Sequence, residues 1–325
     1  MPHAQPSRRV LITGVTGQDG PYLARLLHDG GDEVWAMTRH GSIAADLPFV
    51  QATAPADLRD AGSLERAIAM AAPDEIYHLA AQSSVGQSWD EPAETGEITG
   101  LGTARLLEVV RRTAPGARLF IASSSEIFGE PEQSPQNETT PIRPTSPYGA
   151  AKAYAHHLAH VYRKRHGMYV AVGILYNHES PRRPPSFVTR KITRGAVAVA
   201  RGEQTTLHLG NLDARRDWGF AGDVVQAMPL ALRAPESDDY VIATGEVHTV
   251  RDWCELAFAR VSLDYRAHVV SDPAFWRPEG AVPIVGDASR ARDRLGWRPE
   301  VDFAALVEML VTADQTAPLH QQATG

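Results

Sequence analysis

A chain of 325 residues with 32 Lys and Arg against 39 Asp and Glu carries a formal charge of −7. That balance argues against nucleic acid or an anionic membrane as the main partner and leaves any anionic ligand to be met by local positive charge. The length suits two domains, or one large α/β unit with a smaller one appended, and a hydrophobic content of 43% is that of a soluble globular enzyme.

No apolar run approaches the roughly 20 residues that span a bilayer, and the polar residues 1–9 lack the apolar core of a signal peptide. Cys254 is the single cysteine, so an internal disulfide is excluded and a cytoplasmic location is expected; its apolar helical surroundings make it a packing residue.

Residues 1–7 are expected to fray. Residues 8–13, with Val10, Leu11 and Ile12 at their centre, read as a short buried strand, and Gly14, Thr16, Gly17, Gln18, Asp19 and Gly20 follow at once. The helical pattern Tyr22, Leu23, Leu26, Leu27 comes next. Strand, glycine-rich turn and helix make the phosphate-binding opening of a dinucleotide fold, where small residues let backbone N–H groups approach a pyrophosphate. Pro21 is compatible with this, because the first helical N–H groups have no partner within the helix.

A second strand at 33–37 ends at Thr38, Arg39 and His40. A base at that position favours the 2′-phosphate of NADP over a free ribose hydroxyl. Residues 41–48 read as a loop, 49–53 as a third strand, and Asp57 and Leu58 as facing the adenine. A helix is predicted over 63–71. The strand at 75–80 runs into Ala81, Gln82, Ser83 and Ser84, small side chains that suit close passage of the backbone past a cofactor or tight strand packing.

A helix over 101–112 leads to a strand at 118–122 that stops at Ser123, Ser124, Ser125 and Glu126. Strand ends of an open parallel sheet are where such proteins hold ligands. Tyr148 and Lys152 follow Pro147 and share one helix face. An ammonium beside a phenol stabilises the phenolate, which makes tyrosine a usable proton relay. Ser124 or Ser125 would bind the same substrate oxygen, and Glu126 adds a second base. His156 and His160 lie four apart on the same helix, but no third ligand stands at a recognisable spacing, so no metal is assigned to them.

Strand and helix alternate from residue 8 to about 177, which predicts an α/β, doubly wound parallel sheet of Rossmann type. The expected division is a cofactor-binding domain with the catalytic residues over 8–177 and a mainly substrate-binding lobe over 178–313, some of whose segments return to the first domain. Asn177 to Pro185 is too rich in proline for a regular element and reads as a loop over the active edge. Arg190, Lys191 and Arg194 on a helix, and Arg215 and Arg216 at a turn, could hold a substrate pyrophosphate or form a solvated basic face. A strand at 239–243 and helices near 249–261, 288–295 and 303–313 are assigned to the C-terminal lobe, with a loose tail after Ala313.

The Thr13-Gly14-x-x-Gly17-x-x-Gly20 turn with Tyr148-x-x-x-Lys152 resembles the extended short-chain dehydrogenase/reductase family. Within it, the segments TGVTGQDG, DEIYHLAAQSSVG, NHESPRR, FVTRKITR, LGNLDARRDWG, DYVIATGE and GDASRARDRLGW resemble the GDP-mannose 4,6-dehydratase branch over residues 8–313.

The resemblance implies a hydro-lyase that converts GDP-mannose to GDP-4-keto-6-deoxymannose with tightly bound NADP. The alternatives are a 4-ketoreductase or epimerase acting on a GDP-4-keto-6-deoxy sugar, or a 4,6-dehydratase of another sugar nucleotide such as a GDP-heptose. It implies catalytic roles for Ser124, Ser125, Glu126, Tyr148 and Lys152, and cofactor contacts from the glycine-rich turn, Arg39, Asp57, Leu58, Leu79, Ala80, Ala81, Ser83, Tyr148 and Lys152. It further implies GDP-sugar contacts from Ser84, Asn177, Glu179, Val188, Lys191, Gly210, Arg216 and Arg277, and a homodimer or homotetramer. Ser124 stands where the family carries threonine, and Pro184-Pro185 where it carries a glycine and a more flexible residue.

Overall fold

Strands buried on both faces read as unbroken apolar runs, and the runs in this chain assemble into one seven-stranded parallel sheet in a computed structural model that describes residues 7–41, 47–275 and 282–317. In chain order its first half is β1 (Arg9–Thr13), α1 (Asp19–Asp29), β2 (Glu33–Thr38), β3 (Ala52–Pro55), α2 (Ala61–Ala71) and β4 (Glu75–His78). The short helices α3 (Gln87–Asp90) and α4 (Pro92–Thr95) and a π-helical turn, Gly96–Leu101, then lead into α5 (Gly102–Thr113) and β5 (Arg118–Ser124). The helix α6 (Pro147–His166) and β6 (Val170–Leu175) complete the unit.

Three segments differ from the sequence reading. The third strand sits at Ala52–Pro55, where it pairs with β2. Asn177–Glu179, read as loop, forms a short strand β7. Past α7 (Val188–Ala200) and β8 (Leu207–Leu209), the Arg-Arg-Asp-Trp stretch is two strands rather than a turn: β9 (Arg215–Arg216) and β10 (Trp218–Phe220). β10 pairs in parallel with β7, which fixes residues 177–179 as a wall of the cleft, while the proline-rich residues 180–187 remain a loop.

The strand at 239 also moves. After α8 (Ala221–Arg233), β11 (Asp239–Ile242) pairs with β6 at the edge of the main sheet and does not join the C-terminal lobe. Its four residues are all buried, and the parallel partner supplies the hydrogen bonds that a lone strand in the lobe would lack. The chain continues through β12 (His248–Thr249), α9 (Val250–Arg260), β13 (Val269–Ser271), α10 (Ser289–Leu295) and α11 (Phe303–Thr316). α10 returns to the sheet with β11, its Ala291 buried in the same core as α1 and α8. The helix at 303 runs on to Thr316. Residues 1–6, where fraying was expected, residues 42–46 of the loop after Gly41, Arg277 and the residues beyond Ala317 lie outside the described residues.

Strand order is β11-β6-β5-β4-β1-β2-β3. The chain therefore winds one way from β1 and the other way from β4, and the crevice between the C-terminal ends of β1 and β4 is the topological switch point of the sheet. One core, with Leu23 and Leu27 of α1 and Val224 and Met228 of α8, covers one face; Leu64, Ile68, Leu106 and Val110 of α2 and α5 cover the other. A separate core built on Trp253, Phe258, Leu306 and Leu310 holds α7, α9 and α11 together.

Arg190, a candidate phosphate ligand, instead serves this lobe. Its guanidinium is buried and bonded to both carboxylate oxygens of Asp314 at 2.8 and 2.6 Å, tying α7 to α11. Breaking a buried pair from one side strands a charge and costs about 3–5 kcal/mol. Arg190→Met is therefore expected to lower the unfolding midpoint of the lobe in a denaturant titration, with the sugar-nucleotide affinity of the folded fraction unchanged. Cys254 is buried in the same core, and burial pushes its thiol up to about 12.

Candidate active site

The glycine-rich turn owes its course to one residue above the others. Gly14 has φ +72°, and a Cβ there would lie 2.8 Å from the backbone N of Ala80. A side chain is thus excluded on two grounds, and the turn passes flush against the end of β4. Thr13 braces the junction: its hydroxyl accepts from the Leu79 and Ala80 N–H groups and bonds His78, whose other ring nitrogen meets Thr103 of α5. Burial, with the Lys152 charge, holds His78 down at about 3, so this ring is neutral. The N-terminus of α1 has no side-chain cap, and its residues Gln18, Asp19 and Gly20 line the crevice.

β5 ends the same way. Ser124 caps a single 3₁₀ turn by accepting from the Glu126 N–H at 3.3 Å, and this aims Ser124 and Glu126 into the cleft. Ser146 caps α6 through the Gly149 N–H at 3.0 Å, and Pro147 opens the helix. Gly149 matters for approach: a Cβ there would lie 2.5 Å from the Glu126 carbonyl. The two chain segments that carry the candidate groups therefore meet without a side chain between them.

Tyr148 and Lys152 follow on the first turns of α6, both buried. Burial pushes the phenol up to about 12, opposed by a bond from the Ser124 hydroxyl and reinforced by the nearby Glu126 charge. Of the two serines, Ser124 is the one that bears on the phenol, and both line the cleft. Lys152 donates to the Ala122 carbonyl at 2.6 Å, and its nitrogen lies 5.8 Å from the centre of the Tyr148 ring. The sequence reading expected the ammonium to lower the phenol's pKa. Burial dominates instead.

Burial also brings Lys152 down to about 8, with the Asp19 charge acting partly against it. This pKa is depressed, so the ammonium is present below about 8 and lost above it. If its charge serves the phenolate, kcat/KM should fall as pH rises through about 8. Lys152→Arg, which stays charged throughout, should show a lower plateau without that alkaline limb; a limb that persists in the arginine variant would assign it to another group.

The cleft encloses about 1850 Å³, larger than the roughly 300–1,000 Å³ of a site for one small molecule. It has room for two ligands side by side. Every described residue singled out for the cofactor, from the glycine-rich turn through Arg39, Asp57, Leu58, Leu79, Ala80, Ala81 and Ser83, lines it. So do Ser84, Asn177, Glu179, Val188, Lys191, Gly210 and Arg216.

Arg39 is exposed at the end of β2 and bears on Asp57, which Arg59 grips in two bonds of 3.0 and 2.7 Å and holds at about 2. Arg59 was missed in the sequence because its partner Asp57, not a motif, brings it to the cleft. Glu179 is buried and committed inward, accepting from the Thr189 hydroxyl at 2.7 Å beside Arg183 at 3.3 Å. Arg194, like Arg190, is not part of the cleft lining.

Arg216 is set by its neighbour. The buried Asp217 carboxylate receives the Thr244, Gly245 and Gly286 N–H groups and the Thr244 hydroxyl, at 2.6 to 3.2 Å, which anchors the β9–β10 segment. The two spaced histidines acquire a third group from the fold. Asp239 Oδ2 lies 2.5 Å from His160 Nε2 and 3.4 Å from His156 Nε2, while Arg163 holds Oδ1 at 2.8 Å. This cluster fastens α6 to β11.

A family model described as GDP-mannose 4,6 dehydratase matches residues 11–310. GDP-mannose 4,6 dehydratase 1 of Arabidopsis thaliana is 44% identical over 327 residues, 95% of this chain and 90% of that protein. Among solved structures, DesIV, a dTDP-glucose 4,6-dehydratase from Streptomyces venezuelae with NAD and TYD bound, superposes with a TM-score of 0.80 at 26% identity, covering 94% of this chain and 96% of that one. RMD from Pseudomonas aeruginosa complexed with NADPH shares the fold, with a TM-score of 0.83 at 24% identity over 95% and 99% of the two chains. With a Rossmann sheet, a crevice at its switch point and a match of this extent, the chain belongs to the GDP-mannose 4,6-dehydratase family.

Proposed function

We propose that this chain removes water from the hexose of GDP-mannose, giving GDP-4-keto-6-deoxymannose, with NADP as its resident cofactor. The observation that carries the reading is the convergence on one cleft of a serine-bonded phenol, a buried ammonium and a second carboxylate, Glu126, which bears directly on the phenol.

The residues present suit a dinucleotide. The flush glycine-rich turn and the uncapped N-terminus of α1 form a cradle for a pyrophosphate, and Arg39 with Arg59 supplies positive charge where the adenosine phosphate of NADP would lie. When bound, the nicotinamide would supply reversible hydride exchange with the sugar, so that no net oxidation occurs.

The protein's own work is positioning and proton transfer. Ser124 and Tyr148 would bind the 4-oxygen, with Tyr148 taking its proton and Lys152 stabilising the resulting charge. The 4-ketone so formed makes the C5 proton acidic, and Glu126 removes it. The C6 hydroxyl leaves as water with the proton Glu126 took from C5; as hydride reaches C6, C5 takes a proton from solvent, balanced by the 4-hydroxyl proton that Tyr148 releases to solvent. Lys191, half-buried beside Phe275, and Arg216 offer cations for the diphosphate of the substrate.

A 4-ketoreductase could use the serine, tyrosine and lysine alone, and simple hydride transfer at C4 has no use for a carbon base; an epimerase of a 4-keto sugar would use one but leaves the mass of the sugar unchanged. Incubation with GDP-mannose and mass analysis of the product tests the choice. Loss of one water without net consumption of NADPH supports the dehydratase; steady NADPH consumption, or a product of unchanged mass, rejects it. GDP-heptose run in parallel reports on the sugar.

A further inference from the structure

Gln18 and Asp19, on the phosphate-binding turn, reach across the cleft to a segment about 160 residues further along the chain. Gln18 Nε2 donates to the His178 carbonyl at 2.9 Å and the Ser180 hydroxyl donates to Gln18 Oε1 at 3.2 Å. His178 Nε2 lies 2.9 Å from Asp19 Oδ2, with both side chains mostly buried, 12% and 17% exposed. The three bonds join the N-terminus of α1 to β7, the strand that carries Asn177 and pairs with β10 beside Arg216.

The geometry fixes the charge of the ring. His178 Nδ1 lies 2.7 Å from the Tyr176 carbonyl, and a carbonyl only accepts, so Nδ1 carries hydrogen. Nε2 faces a carboxylate, which also only accepts when ionised. Two donating nitrogens make an imidazolium. Burial works against both charges, and the pair overcomes it, lowering Asp19 and raising His178 from their ordinary values. The other charged groups bearing on the pair are Arg183, which favours the Asp19 carboxylate and opposes the His178 charge, and Lys152 of α6, whose ammonium the Asp19 charge supports; the phenols of Tyr22 and Tyr148 also feel Asp19.

We propose that His178 is a positioning residue, held as an imidazolium by Asp19, that latches the sugar-nucleotide wall to the phosphate-binding turn and so sets the distance between the two ligands of the cleft. This rests on the reading of the cleft as a site for both a dinucleotide and a GDP-sugar. The latch is engaged below the raised His178 pKa and released as pH rises through it. With the latch released, only the two Gln18 bonds still hold β7 against α1, and GDP binds a wall that is less firmly ordered.

Two measurements test this. In the full-length protein labelled with 15N-histidine, the His178 ring, identified by its absence in His178→Gln, should show both nitrogens protonated at pH 7 and titrate above the ordinary histidine value. A single neutral tautomer at pH 7 overturns the proposal whatever the enzyme's substrate proves to be. Second, calorimetric titration with GDP should show about tenfold weaker binding for Asp19→Asn and His178→Gln, the worth of one bond to a charged group. The wild-type affinity should decline as pH passes the His178 pKa, and that of the variants should not. Folded variants, as judged by circular dichroism, that bind GDP with wild-type affinity and wild-type pH dependence would also overturn it. Failure to dehydrate GDP-mannose would instead count against the proposed reaction, and it leaves both of these readouts intact.

Discussion

Tyr148→Phe is expected to lower kcat for loss of water from GDP-mannose by about 10²–10⁴-fold, the range that a positioned proton-transfer group contributes. The phenol is buried, so the substitution keeps the ring's packing and removes only the hydroxyl that meets Ser124. Stability should change little and GDP affinity not at all, because the groups proposed for the diphosphate lie on α7 and β9. A variant that retained more than about a tenth of wild-type kcat would fall outside the range expected of a proton relay and remove Tyr148 from the chemistry.

Glu126→Gln separates the second half of the reaction from the first. Glutamine keeps the shape of the side chain and loses the ability to take a proton from carbon, so water loss should fall by about 10²–10⁴-fold. The measurement is isotopic. In heavy water the wild-type enzyme should place deuterium at C5 of the product, whereas the glutamine variant should place none in the recovered sugar nucleotide. Efficient dehydration by Glu126→Gln, with deuterium still entering C5, would transfer the base to another residue and reopen the 4-ketoreductase reading, since Glu126 alone distinguishes the two.

These effects are separable because Tyr148 and Glu126 come from different elements. Ser124 and Glu126 stand on the turn that ends β5, Tyr148 and Lys152 on α6, and the Gly149 backbone brings the two within contact. Removing one group leaves the other scaffold in place. A change at Gly149 would not be so clean, as any side chain there would push against the Glu126 carbonyl.

Much of this site is legible in the residues. The parallel sheet announces itself as short apolar strands alternating with helical periods, because strands covered on both faces need no polar alternation. The glycine-rich turn, the hydroxyls at the end of β5 and the Tyr-Lys spacing are local patterns whose chemistry is set by a few neighbouring residues, and all of them line the cleft. Other parts were misread for an identifiable reason. Asn177–Glu179 is a strand only because β10 pairs with it, and the DYVI run belongs to the main sheet only because β6 has a free edge. Arg190 resembles a phosphate ligand until Asp314, 124 residues away, is seen to take its charge.

The sequence by itself determined the class of fold, the location of the phosphate-binding turn and which candidate side chains line the cleft, since each depends on interactions that reach only a few residues along the chain. Tertiary structure alone decided which serine meets the phenol, that burial rather than the ammonium governs its proton, which arginines face the cleft, and that His178 answers Asp19. Those outcomes depend on desolvation and on partners distant in the chain, and neither the cost of burying a charge nor the group that offsets it can be read until the backbone has brought them together.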